Sequence, residues 1–215
     1  LRLVGSEMCI RDRHSVAWMP RLLPLFHEHY PDVSVRLIEQ GDELLLKALQ
    51  SNDADIIIGG MPVSTQDVTV TLALEQLLLI VPRAFNIIPS WAYTGNSYEN
   101  PYEIDPKQLQ GLPLILPSTV NDIGGITNQV LEHFDIRPKF VTTVDSMQTA
   151  AMLVAQDMGY LFTSPIFLKA QMAELAPNIV YCMARGIPDS RKIVAGYHSD
   201  TYKEEMISQF LNCLL

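Results

Sequence analysis

The sequence predicts an α/β protein, with parallel or mixed sheets carrying helices on both faces. Three observations predict it. Strand-length runs, apolar or alternating, recur along the whole chain. Segments with three- and four-residue apolar spacing separate them. Turn-forming Gly, Pro, Asn and Asp punctuate the boundaries.

Residues 1–5 read as a short strand and 6–13 as a polar loop. The string VGSEMCIRDR at 4–13 resembles translated sequencing-adapter read-through. That implies a gene-assembly artefact, with the natural sequence before His14 missing. Trp18, Leu22, Leu25 and Phe26, with Met19, Leu23 and Tyr30, give one broad apolar helix face. Pro20 fits a first turn. Pro24 lies deeper and implies a late start or a bend, and Pro31 ends the helix. Val33, Val35 and Leu37 alternate with polar residues as a strand does. Asp42 is placed to cap a helix carrying Leu44, Leu45, Ala48 and Leu49. Strands follow at 55–58, 68–74 and 77–81.

Residues 85–105 lack periodicity and hold Pro89, Gly95, Asn96, Asn100 and Pro101, so they read as a loop. Trp91, Tyr93, Tyr98 and Tyr102 within it either cover apolar surface or form a lid over a ligand. A strand at 112–116 leads to a helix at 121–134, and a strand at 139–144 to a helix capped by Asp145 or Ser146 and closed by Gly159. Strands at 160–163, 179–183 and 192–196 follow, and Thr201 is placed to cap a last helix.

Composition excludes several function classes. A chain of 215 residues that is 48% hydrophobic can bury a core, as one large domain or two small ones, and is not disordered. No apolar run approaches the ~18–20 residues of a membrane span. The net charge is −9, and 15 Lys and Arg lie scattered among 24 Asp and Glu. A chain so charged does not grip DNA or an anionic membrane by itself. Cys9, Cys182 and Cys213 lack the spacing of a zinc site or disulfide framework. No secretory h-region opens the chain.

Catalytic signatures are missing too. There is no GxSxG elbow, no GxGxxG and no Walker loop; Gly59-Gly60 and Gly124-Gly125 lack the flanking pattern. His27 and His29 point about 200° apart on a helix and cannot share a metal. Glu103 and Asp105 have no partner carboxylate for paired acid–base work. The reading is therefore no enzyme, no cofactor and no metal.

Binding is better supported. Small hydroxyl residues follow strand ends at Ser118-Thr119, Asp145-Ser146 and Thr163-Ser164, and Ser15 precedes the first helix. In open α/β sheets ligands sit beyond the carboxyl ends of strands. Helix N-termini there favour an anionic group. Each hydroxyl either caps its own helix or joins the others around a ligand. The candidate ligand-binding residues are Ser15, Ser118, Thr119, Ser146 and Thr163.

The order of motifs resembles a family. Met19-Pro-Arg-Leu-Leu-Pro-Leu-Phe26, Tyr30-Pro-Asp-Val33 and Val35-Arg-Leu-Ile-Glu39 resemble the opening of the effector-binding domain of LysR-type transcriptional regulators. Ala54-Asp-Ile-Ile-Ile58 resembles its next strand, with Asn52 where the family usually has Gly. Leu112-Pro-Leu-Ile-Leu-Pro117 resembles the strand that opens the second subdomain. Val144-Asp-Ser-Met-Gln148 through Val154-Ala-Gln-Asp-Met-Gly159 and Leu161-Phe-Thr-Ser-Pro165 resemble the run that follows.

The resemblance implies two Rossmann-like subdomains joined by two crossover strands, like type 2 periplasmic binding proteins. Subdomain I is expected at 1–82 plus 182–215 and subdomain II at 83–181. It also implies a small-molecule effector in the interlobe cleft, a homodimer or tetramer, no membrane, a cytoplasmic location, and DNA binding only through a winged helix-turn-helix absent from this chain. Carried over by position, Ser15 matches the ligand-facing hydroxyl before the first helix. Ser118 and Thr119 match the second-subdomain loop, and Thr163 the strand end at the cleft. The loop at 85–105 is longer than the family's usual connection. Trp18, Leu22 and Phe26 serve either an ordinary core face or a partner subunit. Two rivals remain: an extracytoplasmic solute-binding protein of the same fold, and a two-lobed enzyme, for which Cys182 is the thiol to check.

Overall fold

The computed structural model describes residues 7–12, 15–60, 67–118, 122–168, 175–187 and 190–213. The chain divides into two compact units. The first combines Leu1–Leu74 with Lys192–Leu215, and the second is Glu75–Arg191.

The first unit begins with β1 (Glu7–Asp12), where the sequence reading expects a loop. Its alternation buries Met8, Ile10 and Asp12 on one face. It pairs in parallel with β2 (Ser34–Glu39) along all six residues, and with β3 (Ile56–Gly59). The adapter-like string thus supplies a full interior strand. Between β1 and β2 runs α1 (Ser15–His29) as one helix that holds both prolines. Pro20 and Pro24 are four apart and both exposed, so they share one solvent-facing side of the helix. The helix lacks the expected late start. Its opposite face buries Met19, Leu22 and Phe26 in the unit's own core. Burying each such side chain stabilises by about 1.5–3 kcal/mol. Phe26 meets Phe210 edge-on at 5.5 Å, on α6 (Glu204–Asn212).

The sheet order is β2-β1-β3-β11-β4, with β4 spanning Asp67–Gln76 and β11 spanning Ser190–His198, antiparallel to β3. Two expected caps do not form. Gly41 caps α2 (Asp42–Gln50) without a side-chain bond, and Asp42 lies inside the first turn. Lys203 stands at the N-cap of α6, while the Thr201 hydroxyl accepts only the Lys203 N–H at 3.3 Å. Lys203 is held there because its Nζ donates to both Asp55 oxygens at 2.8 Å and to the Glu7 carbonyl at 2.6 Å.

The second unit centres on β5 (Leu78–Pro82), buried throughout and flanked by antiparallel β10 (Ile179–Ala184) and β9 (Leu161–Thr163). β6 (Tyr102–Ile104), inside the expected loop, pairs in parallel with β10. β7 (Leu114–Pro117) and β8 (Val141–Val144) form a parallel pair. A parallel bridge from Leu114 to Tyr160 joins β7 to the strand that continues as β9. Around them lie α3 (Asp122–His133), α4 (Met147–Ala155) and the short α5 (Pro165–Leu168). α4 ends before Gly159; Asp157, at φ +61°, takes the left-handed conformation instead.

The aromatic segment largely covers its own unit. Tyr93, Tyr98 and Tyr102 pack on the core, and Arg83 stacks on Tyr93 at 5.1 Å. Asn96 acts as a one-residue strand: its side chain donates to the Tyr181 carbonyl and accepts the Tyr181 N–H, both at 2.8 Å. Trp91, 71% exposed, touches Tyr102 edge-on.

Candidate functional site

In the second unit three parallel strands end at one edge. Pro117 and Val144 are in register at the ends of β7 and β8, and the Ser118 N–H donates to the Val144 carbonyl at 2.9 Å. The Leu114–Tyr160 bridge sets β9 level with β7, because Pro117 and Thr163 each lie three residues further on. The edge therefore collects Ser118 after β7, Asp145-Ser146 after β8, and Thr163-Ser164 at the end of β9.

Gly124 lets α3 reach this edge. A Cβ there would stand 2.4 Å from the Pro117 carbonyl oxygen and 2.7 Å from that of Ser118. The helix N-terminus is thus pressed against the strand end, as a site that presents N–H groups to a ligand requires. The Gly-Gly pair signals this in the sequence, although it carries no phosphate-loop pattern.

The five predicted residues are placed as follows. Ser15 is the first residue of α1 in the first unit; it is 3% exposed, and its hydroxyl has no hydrogen-bond partner among the described residues. Ser118 directly follows β7. Thr119 lies outside the described residues. Ser146 is the N-cap of α4 and accepts the Thr149 N–H at 3.2 Å, so its hydroxyl has a structural use. Thr163 is fully buried, and its hydroxyl reaches the Ser164 carbonyl only at 3.5 Å, too long for a strong bond. Ser118, Ser146 and Thr163 share the strand edge; Ser15 belongs to the other unit.

Other candidates have structural partners. Glu103 pairs with Arg185 at 2.7 Å, and Asp105 forms a capping box with Gln108. Burial in β10 pushes the Cys182 thiol up to about 12, so it carries no nucleophilic thiolate near neutral pH. Among the described residues no group of three or more His, Cys, Asp or Glu is placed to hold a metal, and no helix is long and apolar enough to cross a membrane. A groove of about 580 Å³ lies at the far end of α3, between Ile126, Val130, Phe134 and Ile187. It includes none of the five residues.

A strand-end edge with a helix N-terminus pressed on it is the place where open α/β folds hold their ligands. The chain belongs to the LysR substrate binding domain family, whose model matches residues 14–215. It is 28% identical over 170 residues to a probable RuBisCO transcriptional regulator of Porphyra purpurea, covering 76% of this chain and 49% of that protein. It is 23% identical over 180 residues to the RuBisCO operon transcriptional regulator of Acidithiobacillus ferrooxidans, covering 84% and 54%. The chain thus spans about half the length of these relatives. The regulatory domain of CcmR from Synechocystis PCC6803, solved in complex with 2-PG, superposes with a TM-score of 0.78 at 15% identity, covering 97% of each chain. Full-length BenM gives 0.76 at 16% identity, covering 98% of this chain and 67% of that one. The family match favours a ligand-sensing regulator domain over an extracytoplasmic solute binder.

Proposed function

We propose that this chain senses a small anionic metabolite of the phosphorylated-acid class, with 2-phosphoglycolate (2-PG) as the first compound to try. The residues proposed to bind it are Ser15 at the start of α1, Ser118, Ser146 and Thr163 at the strand edge, and Thr119, which lies outside the described residues. The observation that carries this reading is the buried Ser15 hydroxyl, without a partner among the described residues, at the N-terminus of a 15-residue helix. A buried hydroxyl left unpaired costs about 1–3 kcal/mol, and an anion accepting from it removes that cost. The helix dipole favours the same charge. The RuBisCO regulators and the 2-PG complex among the similar proteins support this chemical class.

A ligand that prefers one arrangement of the protein shifts the equilibrium by its differential affinity alone. The effector-bound arrangement then alters DNA binding by a winged helix-turn-helix on the N-terminal side, within a cytoplasmic homodimer or tetramer. Relatives about twice as long leave room for that second part.

Thermal unfolding with added 2-PG tests the reading. At 100 times Kd the ligand adds about 2.7 kcal/mol of stability. Ser15→Ala and Thr163→Val should each weaken binding about tenfold, the value of one lost hydrogen bond to a charged group. No shift at millimolar 2-PG, or a shift undiminished in both variants, would overturn it.

A further inference from the structure

Glu75 and Arg191 are the first and last residues of the second unit, so the chain passes between the units immediately beside each of them. Glu75 lies in β4 and Arg191 in β11. The Arg191 Nε and Nη2 both donate to one Glu75 oxygen, at 3.0 and 2.8 Å. The two side chains are 6% and 9% exposed. A buried ion pair is weak evidence for stability, because desolvating two charges offsets most of their attraction. Its position therefore asks for another account.

The Arg191 guanidinium also lies over the Phe167 ring, 5.8 Å from its centroid. Phe167 belongs to α5, which leaves the candidate ligand edge directly. Its N–H donates to the Ser164 carbonyl at 3.1 Å, and the Ser164 hydroxyl accepts the Ile166 N–H at 3.3 Å. Thr163 is in register with Leu78, three residues beyond Glu75. One cation therefore touches the segment leaving the strand edge and both passages of the chain.

We propose that Arg191 is a positioning residue that couples the Thr163–Phe167 segment to the two passages at Glu75 and Arg191. A shift of α5 moves the ring beneath the guanidinium. The guanidinium, bonded twice to a Glu75 carboxylate oxygen, carries Glu75 with it, so β4 and β11 respond together. As a route for effector signals this rests on the function proposed above; the coupling itself belongs to the chain without ligand.

Amide hydrogen exchange on the full chain tests it. Phe167→Leu should speed exchange in residues 163–168 and also in 75–80 and 190–194, by about fivefold, equivalent to ~1 kcal/mol of local stability. In a Glu75→Met/Arg191→Met background, where apolar residues replace the buried pair, the same change should reach only residues 163–168. If that background does not fold, Arg191→Lys replaces it: it keeps a charge for Glu75 but loses the planar stacking face, and should also confine the effect. A pair that is only structural glue would raise exchange in the double variant yet leave the reach of Phe167→Leu unchanged. That result, or no change at 75–80 and 190–194 in the parent chain, overturns the proposal. Adding 2-PG separates the two ideas. No exchange response to 2-PG would count against the effector reading while the ligand-free coupling stood or fell on its own.

Discussion

Two hydroxyls in this chain are buried without a partner among the described residues, and their surroundings give them opposite meanings. Ser15 opens a long helix, where a charged ligand can use it. Tyr160 sits fully buried in the apolar core of the second unit, edge-on to Phe162, and burial alone drives its phenol far above its usual value. Removing a hydroxyl that has only a desolvation cost is neutral or stabilising. Tyr160→Phe should therefore leave stability unchanged or raise it by up to about 1 kcal/mol, as read by urea unfolding. A loss of more than that amount would mean that the phenol has a partner. None of this is legible in the sequence, since whether a hydroxyl is satisfied depends on residues distant along the chain. The hydroxyl of Ser146 shows the converse, because a cap is set by neighbours three residues away and the local pattern reveals it.

At the scale of elements, alternation and helical spacing locate nearly every strand and helix, and each miss has a physical cause. β1 is missed because Glu7, Cys9 and Arg11 lend it polarity, although alternate residues fill the core. The last helix takes a cationic cap held by Asp55, 148 residues away, and by the Glu7 carbonyl. α3 provides a sharp contrast between adjacent glycines. Alanine normally stabilises a helix interior by about 1 kcal/mol relative to glycine. Gly125 has open space around its Cβ position, so Gly125→Ala should show that gain. At Gly124 the added carbon meets two backbone oxygens at 2.4 and 2.7 Å, which cannot swing away as a side chain does. Gly124→Ala should destabilise by about 1–3 kcal/mol, in the range of overpacking. Chemical denaturation of the two variants side by side tests the close approach of α3 to the strand edge, and equal gains would refute it.

For the molecule as a whole, one titrating group ties together distant parts of the first unit. His198, at the end of β11, places Nε2 2.7 Å from the Leu49 carbonyl at the end of α2 and Nδ1 2.6 Å from Asp67 at the start of β4. Both partners accept, so the ring fits best as an imidazolium, with both nitrogens donating. The bond to Leu49 leads the upward shift of its pKa; Asp67 and the charge of Asp200 add to it, and desolvation opposes it. A folded value above the ordinary ~6.5 means that this stabilisation is complete below pH ~6.5 and is lost as pH rises through the folded value. Raising the pH from 6 to 9 should lower Tm by about 2–4 °C, the equivalent of one hydrogen bond in a chain of this size. His198→Gln should flatten that slope; an equal slope in both proteins would show that other groups carry it. The two-unit plan follows from the family resemblance, whereas this clasp joins residues 49, 67 and 198, which no local pattern connects.

The order β2-β1-β3-β11-β4 also governs how the chain can be finished during synthesis. β11 lies inside the first unit's sheet, yet all but its first two residues are encoded after the second unit. The inserted unit is nearly complete while its host still lacks an interior strand, so the host's sheet closes only after that unit has been made. The first unit is built around its insert: its sheet is started before the second unit is made and closed after it.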